Sequence, residues 1–391
     1  MKVLLTLVAS TPGLSGVQRH ALNLAECLLE REGIEVHVVV APWQRRLVYD
    51  YESRHPRLRL HIATVPRNVV GRNTWFYFNL PRLADEIQAD LVHATYPIPV
   101  MKGGLRVPLV VTLHDLYPFE VPENFGRVKA ALHRSVVRRC FAYADAITCV
   151  SEATACAVPR YLPSSAAAKT TVIYNCVTSS NAEGTAPDEL LGCSRFLFTI
   201  AQHRHNKNIP LLLRALQGLL GSGLIAEPIS LVIVGMRGPE TRRIKSLIVT
   251  LGLSDNVFLL EGISEEELQW CYRHCSAVVI PSITEGFCLP VAEALLAGCP
   301  IVCSDIPVLR EIAGERCTFV ALGPGSEVRF SQAIAAAIQS PRPAPINLPR
   351  FSKQRISDQY FSLYQRLTAS CSEVAATNLD PVVTTPTSGG A

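Results

Sequence analysis

Residues 281–305 read P-S-I-T-E-G-F-C-L-P-V-A-E-A-L-L-A-G-C-P-I-V-C-S-D, and the rest of the chain is organised around this stretch. The apolar residues just before it predict a strand, and the polar loop after that strand leads into a helix that Pro290 can open and Gly298 can close. The N-terminus of the helix directs free N–H groups and the positive end of its dipole at the loop. The stretch therefore predicts a site for an anion or a polar ligand.

Two acidic residues stand at the centre of this stretch. Glu285 lies in the predicted loop and Glu293 in the first turn of the predicted helix, so both carboxylates could face one ligand. A carboxylate only accepts hydrogen bonds, and two adjacent hydroxyls of a sugar or ribose supply two donors at a suitable separation. The pair therefore indicates a carbohydrate-like ligand. A simpler interpretation stays open, in which Glu285 is a solvated loop residue and Glu293 only favours the helix dipole.

The whole string resembles the E-x7-E signature, E-G-F-G-x-P-x-x-E-A-x-x-x-G, of the retaining glycosyltransferases of family four, which have the GT-B fold. Glu285 and Glu293 match its two acidic residues. Cys288 stands where the signature has a glycine, and its Cβ would limit how closely the backbone approaches a donor. The resemblance implies a catalytic role for Glu285 and donor-binding roles for Gly286, Phe287, Cys288, Leu289 and Glu293.

Length and composition allow two domains. A chain of 391 residues, 48% hydrophobic and 18% charged, can form two cores, and repeated strand and helix patterns predict parallel sheets covered on both faces. The resemblance implies an α/β protein of the GT-B fold, with two doubly wound Rossmann-like domains facing a central cleft. The expected parts are an acceptor-side domain (1–177), a linker (178–192), a donor-binding domain (193–350), a helix crossing back to the first domain (351–368) and a disordered tail (369–391).

Cysteine usage and the lack of long apolar runs indicate the compartment. The thirteen cysteines are an odd number without C-x-x-C pairs, which favours buried hydrophobic thiols in a reducing cytosol. The opening MKVLLTLVAS has one charge and a very short apolar run, so we interpret it as a buried strand rather than a signal peptide. No apolar run approaches the ~20 residues that cross a bilayer. We expect a cytoplasmic protein, at most peripheral at the inner face of the membrane.

Positive charge is concentrated in the first half. Residues 1–175 hold 20 Lys and Arg against 14 Asp and Glu, which suits an anionic acceptor or membrane surface but is too weak and too poor in aromatic residues for nucleic acid. An amphipathic helix is predicted over residues 126–143. Its polar positions include Arg127, Lys129, His133, Arg134, Arg138 and Arg139, and its apolar positions toward the sheet are Val128, Leu132, Val136 and Cys140. Two interpretations stay open: a solvated face, or contact with anionic lipid headgroups.

Two segments of the first domain carry candidate ligand residues. Gly13 and Gly16 lie in a turn between the first strand and helix, which is a plain tight turn or a phosphate approach. That turn resembles the family loop P-G-x-x-G-V-x-R, which implies a donor-binding role for Gly16. His114 and Asp115 follow the strand V-V-T-L, where parallel sheets bind ligands. The segment V-T-L-H-D-L resembles the family segment whose histidine contacts the donor sugar, so His114 is the catalytic candidate and Asp115 could orient its neighbour.

The second domain opens with a strand and the basic loop Q-H-R-H-N-K-N, residues 202–208. Cations between a strand end and a helix N-terminus can hold a diphosphate, although such a loop can also be merely exposed. The loop resembles the family's phosphate loop, in which a lysine and an upstream arginine hold the diphosphate. Lys207 matches the lysine. Gln202 stands near the usual position of the arginine, so Arg204, two residues later, is the candidate for that role. The resemblance implies catalytic and donor-binding roles for both Lys207 and Arg204.

The resemblance implies transfer of a hexosyl group from a UDP-, GDP- or ADP-linked sugar to a glycan or lipid-linked acceptor hydroxyl, with retention of configuration. Such an enzyme would serve the synthesis of cell-surface glycan, lipid-linked saccharide or glycolipid. No D-x-D occurs in the chain, so we expect no metal-held diphosphate and no cofactor. Two alternatives stay open: a sugar-nucleotide epimerase of the same fold, and a non-catalytic scaffold subunit.

Overall fold

The structure is a computed structural model that describes residues 1–9, 15–45, 48, 55–101, 103–178 and 183–377, with side chains described to residue 370. The predicted glycine Gly13, the linker residues 179–182 and the predicted tail from residue 378 onward lie outside the described residues.

The described strands of the first half form one parallel sheet. They are β1 Lys2–Thr6, β2 Glu35–Val40, β3 Leu58–Ile62, β4 Leu91–Ala94, β5 Leu109–Leu113, β6 Ala146–Cys149 and β7 Thr170–Val172, in the order β3-β2-β1-β4-β5-β6-β7. The α-helices described around them are α1 Gly16–Leu29, α2 Val69–Glu86, α3 Tyr117–Glu120, α4 Arg127–Tyr143, α5 Glu152–Tyr161 and α6 Ser164–Ala167. Every residue of β5 is buried, as expected for a strand covered by helices on both faces.

The second half repeats this architecture. Its described strands are β8 Phe196–Ile200, β9 Ser230–Val234, β10 Val257–Leu260, β11 Ala277–Ile280, β12 Ile301–Ser304 and β13 Thr318–Val320, in the parallel order β10-β9-β8-β11-β12-β13. The α-helices are α7 Ile209–Gly221, α8 Thr241–Thr250, α9 Glu265–His274, α10 Leu289–Leu296, α11 Pro307–Ala313 and α12 Ser326–Gln339. The predicted α/β class with two doubly wound sheets is confirmed.

The strand order fixes where ligands can bind. In the second sheet β8 lies between β9 and β11, so the chain direction across the sheet reverses between β8 and β11. Ligands of open α/β sheets bind at such a switch point, beyond the carboxyl ends of the strands. The loops at residues 201–208 and 281–288 follow the adjacent strands β8 and β11, so they lie side by side at the carboxyl ends of the strands although they are far apart in the sequence.

The last helix crosses back to the first domain. This helix, α13 Lys353–Thr377, packs against α1 and buries Ile356, Tyr360 and Tyr364 in the core beneath the first sheet. The prediction ended the helix at residue 368 and assigned disorder from residue 369. That assignment is wrong for residues 369–377, because a nucleated helix gains one backbone hydrogen bond for each further residue and the alanines there favour it.

The buried face of α4 differs from the prediction. Ala130, Val137, Cys140 and Phe141 are buried, whereas Val128 and Leu132 are 75% and 61% exposed. Residues two positions on either side of Ala130 lie about 160° around the helix from it, because each residue advances about 100°. The placement of Val128 and Leu132 toward the sheet is therefore wrong, and their apolar side chains face outward.

We expect Tyr364→Phe to lower the free energy of unfolding by about 1–3 kcal/mol, because it leaves a buried imidazole nitrogen without a partner. His93 is fully buried, with Nδ1 2.6 Å from Tyr364 Oη and Nε2 2.8 Å from Thr112 Oγ1. Urea unfolding would measure the change. Tyr360→Phe is the matched control, since the Tyr360 hydroxyl contact to Thr148 is long, at 3.4 Å. An equal loss in both variants would contradict this role of Tyr364.

Candidate functional site

The two loops at the switch point of the second sheet meet in a buried ion pair. Lys207 ends the 3-10 turn His205–Lys207 after β8, and Glu285 lies in the loop after β11. Lys207 Nζ is 2.6 Å from Glu285 Oε1, and the side chains are 19% and 5% exposed. Burial lowers the pKa of Lys207, but the Glu285 carboxylate outweighs burial and the pKa lies above its usual value. An ammonium group with three N–H donors therefore stands where the fold places ligands.

Hydroxyl groups from both domains hold the Glu285 carboxylate. Ser282 Oγ donates to Oε1 over 2.7 Å, and Tyr117 Oη, at the start of α3, donates to Oε2 over 3.3 Å. Burial, followed by the Glu285 charge, raises the pKa of Tyr117 well above its usual value, so the phenol stays a donor. Sequence reasoning missed Tyr117. Its only signal is its position three residues after His114, at the same strand end.

Gly286 brings residues 285–288 into direct contact with the first domain; we call this segment the catalytic loop after its predicted role. A Cβ atom on Gly286 would lie 1.8 Å from the carbonyl oxygen of His114, a separation that no side chain can adopt. The Gly286 carbonyl accepts hydrogen bonds from Ser151 Oγ at 2.6 Å and from Thr154 Oγ1 at 3.3 Å. Ser151 is the N-cap of α5, and sequence reasoning did not single it out. The predicted donor-binding glycine is thus also the point of contact between the domains.

His114 presents a neutral imidazole to the cleft. Its Nε2 lies 2.8 Å from the carbonyl oxygen of Thr95, so Nε2 carries the proton and Nδ1 is left as an acceptor. Burial lowers the pKa of His114 to about 4, although the Thr95 carbonyl opposes this shift. The ring of His20 packs edge-on against it, with the centroids 4.8 Å apart. His114 can therefore accept a hydrogen bond from a ligand hydroxyl at neutral pH.

Asp115 contacts the helix that carries Tyr117. One of its carboxylate oxygens accepts a hydrogen bond from the Tyr117 N–H over 3.0 Å. Burial raises the pKa of Asp115 to about 6, although the Tyr117 N–H and the nearby Arg204 oppose the shift. The described hydrogen bond of Asp115 therefore steadies Tyr117 rather than His114.

Glu293 belongs to a second buried network. It is the fifth residue of α10, in the second turn and not the first as predicted, because the helix begins at Leu289. Tyr272 Oη donates to Glu293 Oε2 over 2.6 Å. Burial raises the pKa of Glu293, while the positive charge of Arg19 opposes the shift. Arg19 comes from α1 in the first domain and is 2.7 Å from Glu265 of α9, so a second ion pair closes the cleft.

The other predicted residues of the catalytic loop contribute mainly their backbone. Phe287 is 3% exposed, with ring centroids 5.1 Å from Phe351 and 6.3 Å from Tyr174, and Leu289 is also buried. Cys288 has φ 70° and ψ 69°, a left-handed conformation that costs a non-glycine residue about 1–2 kcal/mol. Burial, then the Glu285 carboxylate, raises the Cys288 pKa, and Glu293 acts in the same direction. Both acidic residues therefore surround this thiol, where the family signature has glycine.

Arg204 and Gly16 lie at the rim of the cleft. Arg204 precedes the turn that holds Lys207, is partly exposed, and has no acidic partner within ion-pair distance among the described residues. Gly16 is the first residue of α1, and no atom lies within 4 Å of the position of a Cβ there. The structure thus brings together Lys207, Glu285 and His114 around Gly286. Arg204 lies close enough for its charge to act on Asp115 and Lys207.

Two features are absent from the parts of the chain that the structure describes. No three His, Cys, Asp or Glu side chains there lie close enough together to hold a metal ion. No helix there is both long and apolar enough to cross a membrane. Of the twelve cysteines with described side chains, nine are buried, and all twelve are free thiols, in keeping with the predicted hydrophobic role.

Two family models match this chain. The model described as Glycosyltransferase Family 4 matches residues 14–180, and the model described as Glycosyl transferases group 1 matches residues 189–354. The two matches include every described strand except β1, and every residue of the site. The chain therefore belongs to the group 1 glycosyltransferases of family four.

Individual relatives are more distant. The chain is 28% identical over 246 residues to the O-antigen chain mannosyltransferase RfbU of Salmonella typhimurium, which is 63% of this chain and 64% of the relative. It is 27% identical over 214 residues to the O-antigen chain mannosyltransferase B of Escherichia coli, 53% and 55% of the two chains. The chain thus spans less than two thirds of the length of these relatives. The crystal structure of Anabaena HepE in complex with UDP and glucose superposes with a TM-score of 0.62 and 19% identity, covering 97% and 99% of the two chains, which confirms the GT-B fold.

We expect His114 to stay neutral, with its proton on Nε2, between pH 8 and pH 5. The pKa of His114 is lowered to about 4 and that of His93 to about 3, and burial lowers that of His20 as well. Nitrogen-15 NMR of the imidazoles would measure this, with His114→Gln to assign the signal. The urea-unfolded chain is the control and should titrate near pH 6.5. A native His114 signal that titrates near 6.5 would contradict the buried geometry.

The same histidine pKa shifts determine how the stability of the protein changes with pH. Each histidine has a folded pKa below its unfolded pKa, so below about pH 6.5 the unfolded chain binds more protons and stability falls as pH falls toward 4. Asp115 and Glu293, with raised pKa values, act in the opposite direction. The net slope is therefore smaller than the histidines alone would produce.

Proposed function

We propose that this protein transfers a hexosyl group from a nucleotide-diphosphate sugar to an acceptor hydroxyl, with retention of configuration and without a metal ion or cofactor. The observation that carries the proposal is the buried Lys207–Glu285 pair, which faces a neutral histidine across the contact at Gly286. This arrangement offers a cation for a leaving diphosphate and two acceptors for sugar hydroxyls within one dry cleft.

The donor is proposed to bind mainly to the second domain. Tyr272 occupies Glu293 Oε2, and Glu293 Oε1 is then available to accept hydrogen bonds from a ribose or sugar hydroxyl. Lys207 has N–H donors beyond the one directed at Glu285, and partly exposed Arg204 lies near it, so both could hold the diphosphate. The names of the two O-antigen relatives make mannose the first sugar to test, and the HepE complex supports a nucleotide such as UDP.

In the proposed reaction, the bond between the anomeric carbon and the diphosphate oxygen breaks and a bond to the acceptor oxygen forms on the same face. The acceptor proton leaves to the departing diphosphate. Negative charge grows on the diphosphate, where Lys207 and Arg204 would stabilise it, while the sugar ring becomes cationic. His114 Nδ1 and the Glu285 carboxylate would hold hydroxyls of that ring, and these contacts tighten as the charge develops.

The acceptor is proposed to be a glycan or a lipid-linked saccharide, met at an anionic membrane surface. The observation behind the membrane contact is the outer face of α4, where the exposed Val128 and Leu132 share the helix with exposed basic residues. These residues are Arg127, Lys129, Arg138 and Arg139. An apolar and basic helix face suits the headgroup region of anionic lipid, and such a protein would act peripherally at the inner face of the membrane.

A thermal-shift screen with UDP-, GDP- and ADP-linked sugars, mannose donors first, tests the proposed donor. A donor at ~100 times its Kd should stabilise the protein by about 2.7 kcal/mol. Lys207→Met should weaken donor binding by about ten- to a hundredfold, because it removes a charged hydrogen bond to the diphosphate. Lys245→Met is the matched control, since Lys245 is exposed on α8 of the same domain.

Incubation of the identified donor with and without acceptors then separates the possible activities. A glycoside product with the donor's anomeric configuration, read by NMR, supports retaining transfer. A new sugar nucleotide formed from the donor alone would identify an epimerase, and donor binding without turnover on any acceptor would identify a scaffold subunit. Unchanged donor affinity in Lys207→Met would remove Lys207 from the donor site.

We expect the protein to sediment with anionic phosphatidylglycerol vesicles and not with neutral phosphatidylcholine vesicles, and the binding should weaken as salt is raised. The double variant Val128→Ser, Leu132→Ser should lose most of this binding. The control is Val249→Ser, Val328→Ser, because those side chains are 70% and 56% exposed on the second domain. Equal binding by both double variants would mean that α4 is only a solvated face.

A further inference from the structure

The N-terminus of α5 is completed by a side chain from the other domain. Glu311, in α11 of the second domain, accepts hydrogen bonds from the first two N–H groups of α5 in the first domain. Its Oε1 is 2.7 Å from the Glu152 nitrogen, and its Oε2 is 2.9 Å from the Ala153 nitrogen. Helix N-termini leave such N–H groups without intrahelical partners, and a carboxylate there is favoured by both the hydrogen bonds and the helix dipole.

The same helix end also holds the catalytic loop. Ser151, the N-cap of α5, accepts a hydrogen bond from the Thr154 N–H over 3.1 Å and donates its own hydroxyl proton to the Gly286 carbonyl over 2.6 Å. Ser151 is fully buried. Glu311 and Gly286 are therefore two contacts of the second domain on one rigid feature of the first domain, and Gly286 is next to Glu285 in the sequence.

Glu311 is itself fixed from behind. Arg350 Nη2 donates to the carbonyl oxygens of Glu311 and Ile312 over 2.7 and 2.6 Å, which holds the C-terminal end of α11. The adjacent Phe351 packs on Phe287 of the catalytic loop, with ring centroids 5.1 Å apart. Residues 350 and 351 lie shortly before α13, the helix that begins at Lys353 and returns to the first domain. Movement of α11 away from α5 would therefore disturb the catalytic loop at two contacts, that of Gly286 with Ser151 and that of Phe287 with Phe351.

We propose that Glu311 is a positioning residue that latches the second domain onto α5 and thereby holds the catalytic loop against His114. The latch concerns the arrangement of the domains and needs no substrate, whereas its effect on turnover rests on the proposed function. The carboxylate charge is essential to it, because a neutral or positive side chain loses the attraction of the helix N-terminus.

Small-angle X-ray scattering of the full chain without ligand tests the latch. Glu311→Lys directs a cation at the positive end of α5 and should open the cleft, which would be seen as a larger radius of gyration than that of the wild-type protein. Glu315→Lys is the matched control, since Glu315 is exposed just beyond α11 and the charge change is the same. Should Glu311→Lys fail to fold, Glu311→Gln retains the shape and replaces it. A folded Glu311 variant with the radius of gyration of the control would overturn the proposal.

Amide hydrogen exchange and kinetics then distinguish a latch from a simple helix cap. We expect about tenfold faster exchange at Glu152 and Ala153 in the Glu311 variant, together with faster exchange across residues 285–288. Faster exchange confined to α5 would overturn the latch. With the donor in hand, kcat should fall about tenfold while the affinity for free nucleoside diphosphate stays unchanged. An opened variant with full kcat would overturn the link to the catalytic loop, and a wild-type protein without turnover would refute the proposed function but leave the scattering result standing.

Discussion

The two domains meet where only a hydrogen atom fits. Gly286 lies so close to the His114 carbonyl that a Cβ would be 1.8 Å away, and the other cleft contacts depend on this approach. It brings Glu285 within reach of Tyr117 of the first domain and places the Gly286 carbonyl on Ser151. A larger residue at 286 would separate the domains and break these hydrogen bonds together. Packing between the domains therefore requires glycine at position 286.

Burial of charged side chains in the cleft also determines its electrostatics. A buried charge is tolerated only when partners and further hydrogen bonds replace its water, and each acidic residue of the cleft has such partners. Glu285 has Lys207 and Ser282, and Glu293 has Tyr272. His114 is neutral, so the site holds a small number of buried charges, each with a partner. A ligand whose hydroxyl groups donate to these carboxylates and whose negative charges pair with Lys207 would bind here without leaving any buried charge without a partner.

Local patterns explain which features could be predicted from the sequence. The strands directly before His114 and directly before residue 281 lie where the sequence predicts them, because each is a short apolar run followed by a clear break. Pro290 and Gly298 likewise bracket α10, as their backbone preferences require. Lys207 and Glu285, which lie on different loops, were each recognised from the motif on its own loop.

Contacts between distant segments could not be predicted in this way. Tyr117 lies 168 residues from its partner Glu285, and Glu311 lies 159 residues from Glu152, and neither has a motif that reveals the pairing. The face of α4 that packs on the sheet depends on how the helix is rotated about its axis, and composition alone does not determine that rotation. Val128 and Leu132 were therefore assigned to the wrong side of the helix. The helical length of α13 beyond residue 368 was missed because small residues suit both a helix and a tail.

The crossing helix also affects the order in which the domains can mature. His93 is buried in the first domain, yet one of its two hydrogen-bond partners, Tyr364, follows it by 271 residues. During synthesis the first sheet leaves the ribosome early but lacks Ile356, Tyr360 and Tyr364 from its core until almost the whole chain has been made. The second domain, whose described strands and helices α7 to α12 are contiguous in sequence, can form its own sheet before that moment. The domain made first is therefore completed last, and the nascent first domain must remain soluble with part of its apolar core uncovered.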